Sequence, residues 1–85
     1  MSELKMFSVF DSKAEAFLPP MFFPTRGVAI RAFSQACSDD NHDFCKYPDD
    51  YSLFELGSFD PATAVFACHV APVNLGSATV LRSTN

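Results

Sequence analysis

With 85 residues the chain has room for one domain and a small core, and its six Lys or Arg against ten Asp or Glu leave a formal charge of −4. That balance excludes the basic stripe by which most phosphate-binding proteins are recognised. The chain is 48% hydrophobic, with ten Phe and no Trp, so it is not disordered by composition, and a domain of this size struggles to hide ten rings behind its own backbone.

The first residues, Met1-Ser-Glu-Leu-Lys, lack the basic region and apolar run of a signal peptide. No segment approaches the ~20 apolar residues of a membrane helix, so no membrane partner is expected. Three Cys without a CxxC pair read as free thiols in a reducing cytosol.

Lys5 to Phe10 is a strand, with Phe7 and Val9 on one side and Met6 and Phe10 on the other. Apolar groups on both faces suggest cover from two sides, one of them a second subunit. Asp11-Ser12 stops the strand and can cap a helical turn from Lys13 to Phe17. Pro19, Pro20 and Pro24 then remove three backbone donors, so Leu18 to Pro24 is an extended loop in which Met21, Phe22 and Phe23 must pack on something.

Thr25 is an N-cap, and the helix runs from about Arg26 to Cys37. Ala29, Ile30, Phe33, Ala36 and Cys37 form its apolar stripe, opposite Arg31, Ser34, Gln35 and Ser38. Ser38 to Asp50 is an acidic, solvated loop. Tyr51 to Leu56 is a second strand, with Phe54 and Leu56 on one face and Leu53 on the other. A Phe-Asp-Pro-Ala-Thr turn joins it to a third strand, Ala64 to Val70, in a hairpin. Parity places Cys68 with Phe66 in the core and turns His69 away. The run from Pro72 onward reads as a helical turn with Leu75, Ala78 and Val80 on the core, and Arg82 to Asn85 as a frayed end.

The expected fold is therefore α+β. It is a small β-α-β-β domain over residues 1–85, with one main helix packed on a small antiparallel or mixed sheet.

The aromatic loop is the strongest candidate for binding. Lys13, Phe17, Met21, Phe22, Phe23 and Arg26 combine stacking surface with cations. Three readings stay open: cover for the sheet, a protein interface rich in aromatics, Met and Arg, or a weak platform for single-stranded DNA. Cys37, His42 and Cys45 have the spacing C-x4-H-x2-C, with Cys68-His69 further on. This matches no standard zinc finger, and Cys37 already belongs to the helix stripe, so core and loop roles are expected and a small metal-binding protein is the alternative. Cys45 with His42 and Asp43 lacks a packed pocket to hold a nucleophile and base, and no glycine-rich phosphate loop exists. The expectation is a protein that is not an enzyme and carries no cofactor.

Five pieces carry a resemblance to a known family. They are Phe-Ser-Val-Phe-Asp-Ser-Lys-Ala from Phe7, Phe17 with Pro19-Pro20, Ala-Ile-Arg-Ala-Phe from Ala29, Asp-Asp-Tyr-Ser-Leu-Phe from Asp49, and Gly57 with Phe59-Asp60. Together they resemble the small nonstructural protein of gokushovirus-type microviruses, single-stranded-DNA phages. Ala64 stands where that pattern usually has a Thr-Gly turn, so a wider hairpin loop is expected, and Cys45 stands where a polar residue or His would be usual. The resemblance implies an accessory protein of the host cytoplasm, acting at the switch to single-stranded genome synthesis and packaging. Its implied partners are phage or host replication proteins, weakly bound single-stranded DNA, and further copies of itself. It brings no catalytic residues.

Overall fold

The computed structural model describes residues 3–82. Five strands form one antiparallel sheet: β1 (Leu4–Asp11), β2 (Ala16–Phe17), β3 (Met21–Phe23), β4 (Tyr51–Asp60) and β5 (Val65–Ser77). Its order is β2-β1-β4-β5, with β3 pairing β1 beyond β2 on the same edge. Three helices complete the fold: α1 (Arg26–Cys37), α2 (Asp43–Lys46) and α3 (Ala78–Leu81), with a 3-10 turn over Pro48–Asp50.

This corrects the expected β-α-β-β domain. Strands hold 45% of the described residues and helices 29%, and the sheet curls into an antiparallel half-barrel carrying three short helices. The physical reason lies in two segments. Met21–Phe23 is bracketed by prolines, yet it pairs with Lys5 to Phe7, because three residues suffice when the pairing edge of β1 is otherwise bare. Pro72 to Ser77 is rich in turn formers, yet it continues β5 along β4 as far as Ser52.

β1 alternates as expected. Phe7 and Val9 face α1, and with Leu53 of β4, Ala29, Phe33 and Cys37 of α1, and Ala78 and Leu81 of α3 they make the buried core. Each large side chain so buried stabilises by ~1.5–3 kcal/mol. Thr25 caps α1 by accepting from the Val28 N–H. The helix ends where the stripe ends, but Ser34, expected on the wet face, is buried with its hydroxyl unpaired among the described residues.

Asp11 accepts from the Lys13 and Ala14 N–H groups, so residues 12–15 make a tight turn into β2 where a helical turn was expected. The β4–β5 loop is wide, as the Ala64 substitution implied: Asp60 pairs with Val65 across four residues, and Ala64 takes a left-handed φ of 62°. The tail is β5 followed by α3. Leu75 is partly buried against the core and Ala78 is buried, but Val80 is exposed. Arg82 caps α3, and the rest of the expected frayed end, 83–85, lies outside the described residues.

The far half of the β4–β5 hairpin carries an exposed arm, its outer strand β5, while β4 stays paired with β1 on its other side as far as Phe59. Residues 65–74 of β5 are all exposed. The radius of gyration is 13.0 Å, against the ~12 Å of a compact chain of this length. Gly57 sits at the root of the arm with φ 156°, and a Cβ there would fall 2.2 Å from the Ala67 carbonyl oxygen. The close approach of the two backbones needs glycine at this point.

Candidate functional site: an aromatic sheet face and a buried carboxylate

Pairing register sorts the aromatics into two sets. On the face away from α1, paired positions carry Leu4 with Phe59, Met6 with Phe22, Phe10 with Phe17, Ser8 with Phe54 and Phe59 with Phe66. The result is two groups of rings. Phe17 meets Phe10 at 4.9 Å and Phe54 at 5.2 Å between centroids. Phe59 bridges Phe22 at 5.8 Å and Phe66 at 4.8 Å. Phe17, Leu18, Phe22 and Phe66 remain exposed, whereas Met6 and Ser8 are buried. The Ser8 hydroxyl donates to the Leu18 carbonyl, which pins the proline-rich loop over this face. None of these paired residues is charged.

The expected cluster is therefore divided. Phe17 and Phe22 lie on the aromatic face. Met21 and Phe23 turn the other way and pack on the core below α1, because alternate residues of β3 point to opposite sides. Lys13 sits exposed in the β1–β2 turn. Arg26, at the start of α1, is drawn to β4: its Nε–H donates to Glu55 Oε1 at 2.8 Å.

Glu55 is the functional candidate that sequence reading missed. Its side chain is only 4% exposed, and its other oxygen, Oε2, lies 2.8 Å from His69 Nε2. A carboxylate only accepts, so His69 presents Nε2–H to it. The Arg26 hydrogen bond is the chief reason that the Glu55 carboxyl is held below its usual range; burial opposes this, and His69 and Lys5 add to the lowering. The available signal was a lone charged residue on the Leu53 side of β4, where alternation points inward.

His69 thus points inward and Cys68 is exposed, the reverse of the expected parity. Phe66 and Cys68 stay on one side, but they pair with Phe59 and Gly57 on the aromatic face rather than the core face, and a register shift follows. Glu55 pairs with Val73 and Gly57 with Cys68, so four residues, 69–72, bulge where β4 spends only Leu56.

The remaining thiols and His42 do not converge. Cys37 is in the core, and burial pushes its thiol up to about 11. His42 caps α2, its Nδ1 accepting from the Phe44 N–H, and the Cys45 thiol faces Asp40 at 3.7 Å. Among the described residues no group of three or more His, Cys, Asp or Glu is placed to hold a metal ion. A groove of about 250 Å³ runs between β3 and the helices, lined by Met21, Phe23, Phe33 and Phe44 among others. It suits an apolar side chain and offers no convergent polar groups beyond His42.

The model of the family described as Phage ORF5 protein matches residues 4–81, from the first strand through the last helix. The chain belongs to this family. It is a bacteriophage protein, and the aromatic face, the Glu55 contacts and the arm all fall inside the matched span. No curated protein and no solved structure matches it. Among the described residues no helix is long and apolar enough to cross a membrane.

Proposed function

We propose that this chain is a nonenzymatic accessory protein that works by docking, through its aromatic sheet face, to a protein of the phage or host replication complex. The observation that carries the reading is that face: Phe17, Phe22 and Phe66 are exposed on it, and no paired strand position there is charged. Uncharged cores rich in aromatics characterise protein interfaces. The five sequence pieces shared with gokushovirus-type microviruses support a role at the switch to single-stranded genome synthesis and packaging, in the host cytoplasm, by a protein that self-associates.

The second reading is single-stranded DNA stacked on Phe22 and Phe66. The ring row favours it, since aromatic platforms take bases without sequence preference. Charge weighs against it: Lys5 lies on the opposite face of β1 and Arg26 is engaged by Glu55. A titration of labelled oligonucleotide at about 150 mM salt separates the two. Weak binding with a shallow salt slope, on the order of 2 to 3 phosphate contacts, supports the protein reading. Nanomolar affinity abolished by Phe22→Ala with Phe66→Ala overturns it.

A further inference from the structure

We propose that two copies of this chain pair through the outer edge of β5, antiparallel about a two-fold axis, so that the sheet continues from one copy into the other. The proposal deepens the self-association named above by assigning it a surface distinct from the aromatic face.

β5 is the last strand of its sheet, and no strand among the described residues pairs its outer edge. Long exposed edges template pairing with another chain, and proteins guard them with charge, proline or bulges. Here the guards are uneven. Pro72 and the 69–72 bulge protect one part of the strand. The stretch Val65-Phe-Ala-Cys-His69 has no proline and no Asp, Glu, Lys or Arg, and neither does the arm's opposing Leu56-Gly-Ser-Phe until Asp60. Short uncharged segments of high β-propensity are the ones that associate when left bare.

Residues 65–74 of this outer strand also leave large apolar side chains in water. Val65, Val70 and Val73, at 58%, 108% and 39%, leave about two valines' worth. That comes to roughly 200–300 Å² of apolar side chain. A standard interface takes about 800 Å² per partner, somewhat over half of it apolar, so these valines supply about half of the apolar area that one side of a stable dimer needs, and backbone pairing along the edge adds to it.

A second copy is the occupant that the charges favour. The chain is acidic overall, so two copies repel unless the shared surface is neutral. Val65 to Ser77 contains no Asp or Glu. The acidic residues Asp39, Asp40, Asp43, Asp49 and Asp50 precede β4, and Asp50 lies about 20 Å of strand before the root of the arm. Antiparallel edge pairing of identical strands is self-complementary and closes at two.

The test is light scattering after gel filtration, with the protein at tens of micromolar. The wild type is expected at twice the 9.3 kDa chain mass. Val70→Asp touches nothing in the single chain, so the variant keeps its circular dichroism and melting behaviour as a monomer. It places a charge directly beside the Val65–His69 seam in each copy and weakens the dimer by about tenfold or more. Val65→Lys repeats the test at an independent position, and Val28→Asp on α1 leaves the dimer intact. Cys68 reacts slowly with a thiol reagent in the dimer and rapidly in the Val70→Asp variant. A monomeric wild type overturns the proposal, and so does a dimer that neither β5 variant weakens. A dimer lost with Phe17→Ala but not with the β5 variants assigns self-association to the aromatic face and also overturns it. If β5 variants lose the dimer and keep partner binding, this inference stands apart from the docking reading.

Discussion

His69 Nε2 and Glu55 Oε2 meet at 2.8 Å, and this contact ties the four-residue bulge of β5 to the interior of the sheet. Arg26 holds the other carboxylate oxygen from the start of α1. One buried carboxylate therefore fixes a helix terminus and the root of the exposed arm together. A buried charge is tolerated when hydrogen-bonded partners surround it, and removing one partner leaves the rest uncompensated.

The acid limb of stability follows from this geometry. The Glu55 carboxyl is lowered in the folded state, so the stability it contributes is fully present above the ordinary carboxylate range, about 4.3, and is lost as pH falls through the lowered folded value. Denaturant melts taken from about pH 7 down to about pH 3 should show this loss. Glu55→Gln should flatten it. Arg26→Gln removes the chief cause of the lowering, so the acid loss should shrink and its lower end should move to higher pH.

Backbone conformation at the arm gives two opposite outcomes. Gly57→Ala places a Cβ against the Ala67 carbonyl and should destabilise by more than ~1 kcal/mol, with amide protection lost first along residues 57–68. Ala64→Gly relieves a left-handed alanine and should stabilise by ~1 kcal/mol, raising Tm by ~4–8 °C. Thermal melts of the two variants, side by side with the wild type, check both.

The core should be intolerant of truncation. Leu53 and Phe33 join the sheet to α1, and Leu53→Ala and Phe33→Ala should cost ~2–5 kcal/mol each. In a domain this small that is a large share of the total stability. Urea denaturation measures it directly.

The thiols are expected to behave as core and loop rather than as a metal centre. Cys37, its thiol pushed up to about 11 by burial, should resist alkylation until the chain unfolds. Elemental analysis of purified protein should find no stoichiometric zinc, and a chelator should leave Tm unchanged. One zinc per chain would reverse this.

Much of the frame was legible in the sequence. The alternation Met6-Phe7-Ser8-Val9 marked β1 and both its faces, and Thr25 with the Ala29–Phe33–Cys37 stripe marked α1 residue for residue. Local signals also marked the β4–β5 hairpin. What they could not carry was pairing at a distance. Met21–Phe23 reads as a proline-bound loop until β1 offers it an edge, and Pro72 to Ser77 reads as a turn until β4 extends beside it. The candidate site suffered most. β3 sends Phe22 and Phe23 to opposite faces, and the pairing of Phe66 with Phe59 puts Cys68 on the aromatic face and His69 on the Glu55 side, the reverse of the expected burial of Cys68 and outward turn of His69. Glu55 with His69 is a contact between residues fourteen apart across a register shift, which no spacing rule anticipates.

The docking reading meets its most direct test in affinity capture from infected host cells after nuclease treatment. Tagged wild type is compared with a Phe17→Ala, Phe22→Ala variant whose melting and oligomeric mass are unchanged. The account predicts that the wild type retains a phage or host replication protein at stoichiometric yield without DNA, and that the variant loses it. Retention by both proteins equally, or capture that vanishes with nuclease alone, would contradict it.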